Sequence, residues 1–175
     1  MRLFLGVELP TVWREALDRG AAALKKAGVR ANFTRRDNYH LTLVFLGETD
    51  RAEAAAAALD QVDVPPFALR SASPGCFSKK GGDIWWLGAE PLPGLMTAQR
   101  QLEAALRDAG FSPERRPYRP HITLARKVRS PAGLEPPTIP GLFPTLETEV
   151  NRLTLFSSER VDGVLRYLPL YRAAL

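Results

Sequence analysis

The sequence predicts an α+β fold built on antiparallel sheet. Three observations carry this: strands and helices follow one another without the steady alternation of a doubly wound parallel sheet, several neighbouring strands are spaced as hairpins, and the layout of the first half recurs in the second. With 175 residues, the chain is long enough for one compact unit or two small lobes sharing a core.

Leu3 to Leu9 is a mostly apolar run ended by Pro10 and reads as the first strand. Thr11 then caps a helix running to about Lys26, with Trp13, Leu17, Ala21 and Leu24 on one face and Gly28 as its stop. A polar connection, Asn32 to Asn38, leads into His40 to Leu46, which is apolar, rich in strand formers and closed by Gly47. Arg51 to Gln61 is a second, alanine-rich helix, and a strand at Phe67 to Ala72 follows the Pro65-Pro66 pair. Ser78 to Asp83 is a turn by composition and Ile84 to Leu87 a strand after it, so a hairpin fits. The third helix spans Leu95 to Ala109, with Leu95, Ala98, Leu102 and Leu106 on one face and Gly110 as its stop. Beyond the basic, proline-containing stretch Phe111 to Pro120 comes another short strand, His121 to Arg126. Residues 131 to 144 hold five of the 15 prolines and read as a surface loop. Val150 to Phe156 and Val164 to Tyr171 alternate as two last strands joined around Asp162-Gly163.

Composition narrows the function. The net charge of +5 and a pI near 9.7 favour an anionic partner such as a nucleic acid or phosphate ester. One cysteine, Cys76, cannot form an internal disulfide, which suits a reducing, cytoplasmic compartment. Two histidines and one cysteine do not make a structural zinc site, and no metal or cofactor is expected. Apolar runs fall well below the about 20 residues of a membrane span, and the amino end, broken by Glu8, reads as a strand and not as a signal peptide. Glycine-rich phosphate loops and dinucleotide fingerprints are absent.

Both histidines stand in the same four-residue word, His40-Leu41-Thr42-Leu43 and His121-Ile122-Thr123-Leu124. With ten threonines in the chain, two random histidines would both find threonine at that spacing in roughly 0.3% of cases. On a strand, residues i and i+2 share a face, so each His and Thr project together while Leu41, Leu43, Ile122 and Leu124 turn inward. If the two strands meet, two imidazoles and two hydroxyls converge on a phosphate-sized spot. One neutral imidazole then takes a proton from a nucleophile, one imidazolium protonates a leaving oxygen, and the threonines donate to non-bridging oxygens. A lone strand histidine is more often a structural hydrogen-bonding residue; the repetition of the word argues against that reading here.

These paired words, about 80 residues apart, resemble those of the 2H phosphoesterase superfamily, and within it the bacterial and archaeal RNA 2′,3′-cyclic phosphodiesterases, historically called 2′-5′ RNA ligases. Supporting stretches are Arg2-Leu3-Phe4, Phe45-Leu46-Gly47-Glu48, Trp86-Leu87-Gly88, Pro120 and Ala125-Arg126 around the second word, Leu155-Phe156-Ser157-Ser158, Gly163 and Tyr167. The resemblance implies one 2H domain over residues 1–175, bilobal and pseudo-twofold, with antiparallel sheets flanking a central cleft and helices outside. It implies metal-independent opening of a 2′,3′-cyclic phosphate to a 2′-phosphate, with His121 as proton acceptor toward water and His40 as proton donor to the 3′ oxygen. The two words are chemically equivalent, so the sequence does not fix that assignment. The resemblance also places Arg126 on the phosphate or nucleotide, against a solvated surface arginine. In an ideal strand position 126 has the opposite parity from 121 and 123, so a twist or bulge is needed to bring it to the cleft. Tyr118, three residues before His121, is a candidate for the cleft rim and substrate, against a packing role. Phe33 and Tyr39 stand where tryptophan and leucine are commoner in the family, and both bear on base preference.

Lys79, Lys80, Arg115, Arg116 and Arg119 flank the middle hairpin and the second word, either tracking an RNA backbone or forming a solvated face. Trp85 and Trp86 are neighbours on a strand; the outward one either stacks on a base or packs. The expected partner is an RNA end or small nucleotide bearing a 2′,3′-cyclic phosphate, and the expected state a monomer. The alternatives are the related 2′-5′ joining reaction, served by the same acid–base pair, and a non-catalytic module that captures RNA ends.

Overall fold

The computed structural model describes residues 1–175. It has three α-helices and two antiparallel sheets. The strands are β1 (Arg2–Glu8), β2 (Arg30–Phe33), β3 (His40–Glu48), β4 (Phe67–Phe77), β5 (Asp83–Ala89), β6 (His121–Arg129), β7 (Glu147–Val150), β8 (Arg152–Val161) and β9 (Val164–Ala174). The helices are α1 (Thr11–Lys26), α2 (Ala52–Leu59) and α3 (Pro93–Asp108). One sheet runs β3-β1-β8-β9 and the other β2-β6-β5-β4-β7. The α+β, two-sheet expectation therefore holds.

The repeat is visible in the pairing. In the first half β1 crosses through α1 and returns as its antiparallel neighbour β3; in the second, β5 crosses through α3 and returns as its neighbour β6. Each helix carries the apolar face read from its spacing: Trp13, Leu17, Ala21 and Leu24 are buried on α1, and Leu95, Ala98, Leu102 and Leu106 on α3. Gly28 and Gly110 follow the two helix ends with φ of 96° and 91°, the left-handed turn that glycine makes without strain. Burial of Leu3, Leu5, Leu41, Leu69, Leu102, Ile122 and Leu153 in one 29-residue cluster joins elements of both sheets. A second cluster, Leu24, Val29, Trp85, Ala125 and Val128, closes the end of α1 over the five-stranded sheet.

Four details differ from the expectation. Arg30–Phe33 is a strand that crosses to pair with β6, although half of its residues are exposed and it lacks an apolar run. Thr11 is the first helical residue, not the cap; Pro10 precedes the helix and makes no side-chain cap bond. Strand β4 extends to Phe77, its irregular pairing near Pro74 absorbing a residue that cannot donate to the ladder. The strand read as Val150 to Phe156 is two: β7 ends at Val150 on the five-stranded sheet, and β8 starts at Arg152 on the other.

Candidate active site

In both words the burial alternates as strand geometry requires. His40, Thr42, His121 and Thr123 are half-exposed, while Leu41, Leu43, Ile122 and Leu124 are buried. All four polar side chains line one cleft of about 770 Å³ between the sheets. Arg126 and Tyr118 line the same cleft, as do Lys79, Arg116 and Arg119. Lys80 and Arg115 are not on its wall.

Each imidazole is oriented the same way. His40 Nδ1 donates to the carbonyl of Asn38 at 2.7 Å, and His121 Nδ1 donates to the carbonyl of Arg119 at 2.7 Å. A carbonyl only accepts, so Nδ1 carries hydrogen in both rings and Nε2 is the atom that titrates. Asn38 is itself buried, with its amide nitrogen on the Leu165 carbonyl at 2.9 Å and its side-chain oxygen accepting from Tyr167 N at 3.3 Å, so strand β9 braces the first histidine. The two sites differ at Nε2: in His40 it bonds the Thr42 hydroxyl at 2.8 Å, whereas no such bond joins His121 to Thr123.

Aromatic rings wall both histidines. His40 lies against Phe4 at 4.7 Å and Tyr167 at 5.0 Å, and His121 against Phe77 at 5.1 Å and Trp86 at 6.0 Å. Both tryptophans of the pair are buried: Trp85 in the second cluster, Trp86 on the cleft side beneath the Arg119 guanidinium, 5.0 Å from its ring centre. This burial disfavours the charged imidazole and holds both histidines below their ordinary 6.5, His40 at about 4. The carbonyl bonds at Nδ1 oppose that shift, and the Arg126 guanidinium adds to it at both rings.

The register resolves the parity of Arg126. Trp86 pairs with Thr123 and Trp85 with Ala125, so Leu124 is an extra residue, a β-bulge that inverts the faces beyond it. Ala125 turns into the core and Arg126 onto the cleft wall. The first word does the same: Gly6 pairs with Thr42 and Leu5 with Val44, leaving Leu43 extra. A second irregularity follows at Leu46 in one strand and at Arg126 to Lys127 in the other, where Lys127 has φ of 51°. The counterpart of Arg126 is therefore Phe45, on the cleft wall and 48% exposed, with the Arg2 guanidinium 5.0 Å over its ring.

The sequence reading missed Phe45, Phe77, Asn38, Gln99 and Thr34. Phe45 had a signal: laying His40-Leu-Thr-Leu-Val-Phe on His121-Ile-Thr-Leu-Ala-Arg puts Phe45 over Arg126. The others had none, because their side-chain contacts reach across the fold.

The family model of the 2′-5′ RNA ligase superfamily matches residues 12–162. An RNA 2′,3′-cyclic phosphodiesterase of Escherichia coli K12 is 31% identical over 99% of this chain and 96% of its own length. Another of that name, from Thermotoga maritima, is 31% identical over 90% of this chain and 87% of its own. For a third, from Geobacillus stearothermophilus, 30% identity spans 79% of this chain but 46% of the relative, so the chain spans about half of that protein. The crystal structure of E. coli LigT complexed with 3′-AMP superposes with a TM-score of 0.82 at 31% identity, covering 99% of this chain and 97% of that one. Fold, repeat and full-length similarity agree, and the chain belongs to the 2′-5′ RNA ligase superfamily, the 2H phosphoesterases.

Proposed function

We propose that the protein is an RNA 2′,3′-cyclic phosphodiesterase that opens the cyclic phosphate by paired-histidine acid–base catalysis, without a metal, to leave a 2′-phosphate. The observation that carries this reading is the pair of imidazoles, each bound to a carbonyl through Nδ1 with Nε2 as its titrating atom, on the wall of one cleft with two threonines and Arg126. It agrees with the names of the relatives and with the 3′-AMP bound in one similar structure.

His121 Nε2 takes a proton from water as its oxygen forms a bond to phosphorus. The bond from phosphorus to the 3′ oxygen breaks, and His40 Nε2–H delivers the proton that this oxygen needs. Thr42 and Thr123 donate hydrogen bonds to the non-bridging oxygens, and the Arg126 guanidinium offsets their charge. Phe45 supports this direction. An exposed ring on the His40 strand offers a base a stacking surface, so the nucleoside lies on that side, and its 3′ oxygen with it. The acid must stand beside the ribose, and the base across the phosphorus from it.

Burial makes His40 neutral near pH 7 in the free cleft. A phosphate anion beside it favours the imidazolium, so the substrate brings the acid into its working state as it binds. Turnover of a nucleoside 2′,3′-cyclic phosphate tests the reading. His40→Ala and His121→Ala should each lower kcat by about 10² to 10⁴, and a chelator should leave the wild-type rate alone. Undiminished turnover in either variant removes the acid–base pair; loss with chelator removes the metal-free chemistry.

A further inference from the structure

Two connecting segments cross over one another. The segment before the first word carries Thr34, whose hydroxyl donates to the carbonyl of Thr123 in the second word at 2.9 Å and whose backbone N–H donates to the Leu124 carbonyl at 2.8 Å. The segment before the second word carries Tyr118, whose hydroxyl donates to the carbonyl of Thr42 in the first word at 2.7 Å. Each motif threonine is thus gripped through its backbone by the segment that leads into the other motif. The gripped residues adjoin the bulges at Leu43 and Leu124, where strand pairing is broken and a carbonyl needs another donor.

The two halves meet that need differently. Strand β6 has β2 along its outer side, and Thr34 follows directly from β2. Strand β3 is the outer strand of its sheet, with no strand beyond it. Tyr118 stands in for the missing neighbour, and buried Gln99 of α3 donates to the next carbonyl, Leu43, at 3.4 Å. Tyr118 is also bonded through its chain to the other site: the next residue, Arg119, supplies the carbonyl that orients His121. Two consecutive residues therefore touch both words.

We propose that Tyr118 is a positioning residue, a clasp that fixes the first word against the second through the Thr42 carbonyl and so sets the spacing of the two proton carriers. Its hydroxyl is spent on that bond, and it acts on the reaction through Thr42 and His40. This rests on the phosphodiesterase reading. A small displacement of the acid from the leaving oxygen costs rate more than binding.

Tyr118→Phe keeps the ring and removes the donor. It should lower kcat on a nucleoside 2′,3′-cyclic phosphate by about tenfold or more while KM stays within about twofold. Combined with Thr42→Val its effect should be strongly non-additive, and combined with Arg126→Ala additive. 4-Aminophenylalanine at position 118, which restores a donor, should recover most of the rate. A raised KM with unchanged kcat would make the hydroxyl a substrate contact and overturn the clasp; so would an unchanged kcat, or a lowered thermal midpoint with kcat intact. If Tyr118→Phe does not fold, Thr34→Val opens the reciprocal grip and must show the same split between kcat and KM, or the proposal falls. A wild-type protein without turnover would instead overturn the phosphodiesterase reading. The clasp is then judged by the imidazole ¹⁵N shifts of His40, which must move in Tyr118→Phe.

Discussion

Phe45 and Arg126 occupy equivalent places in the two halves of the cleft, each carried onto its wall by a bulge at the fourth residue of a His-x-Thr-x word. Their chemistry breaks the symmetry of the site. If the proposed cyclic nucleotide sets its phosphate on the guanidinium and its base on the exposed ring, it has one orientation.

Phe45→Ala should raise KM for adenosine 2′,3′-cyclic phosphate, by about 5- to 50-fold for the loss of one stacked base. The same variant should leave a base-free cyclic phosphate such as glycerol 1,2-cyclic phosphate unaffected. Arg126→Ala should weaken both substrates alike. Equal losses for the two substrates in Phe45→Ala would show that the ring is structural.

The rate should depend on pH in a way set by burial. Both histidines are held below 6.5, His40 at about 4, so the protonated form of His40, the proposed acid, becomes scarce in the free protein as pH rises. The profile of kcat/KM should be a bell with its maximum below pH 6.5, falling about tenfold per unit on the alkaline side. A flat profile between about pH 5 and 8 would remove the histidines as the titrating pair.

Stability should fall on the acid side. The unfolded chain binds a proton at His40 near 6.5 and the folded one at about 4, so the unfolded state gains protons first as pH drops through that window. Glu8 adds a second window, from 4.5 down to about 2, because its carboxylate accepts from Arg172 at 2.8 and 2.9 Å and from Thr154 at 2.7 Å. Denaturant midpoints measured from pH 7 to 3 should decline throughout. Glu8→Gln should cost about 1 to 2 kcal/mol at pH 7 and flatten the lower part of that decline. A slope that Glu8→Gln leaves unchanged would place the acid sensitivity elsewhere.

Gly6 lies beside the first word, paired with Thr42. A Cβ there would collide with the backbone carbonyl of Leu41, which cannot swing aside as a side chain would. Gly6→Ala should therefore destabilise the fold by about 1 to 3 kcal/mol. It should also lower kcat by displacing His40, whereas the exposed Gly133→Ala, with open space around it, should leave kcat unchanged. Full activity in Gly6→Ala would show that β1 can retreat from β3 without moving the histidine.

The shared face of each His and Thr, and the buried helix stripes, were legible in the chain because they depend on two short-range regularities. Strand period two puts His and Thr on one face, and helical spacing gives α1 and α3 their buried stripes; neither needs a partner to be specified. Repetition of the word about 80 residues apart, together with the family resemblance, then led to the two-lobed cleft. Tertiary structure decided what depends on neighbours. Arg126 reaches the wall, and Phe45 with it, because each strand carries one residue more than the partner it pairs with, a mismatch that exists only once β1 and β5 are in register. Arg30–Phe33 becomes a strand because β6 offers it a ladder, not because its own residues prefer one. The crossed grips of Thr34 and Tyr118 span 89 and 76 residues, distances at which the sequence leaves no pattern, since a hydroxyl finds a carbonyl only after both backbones are fixed.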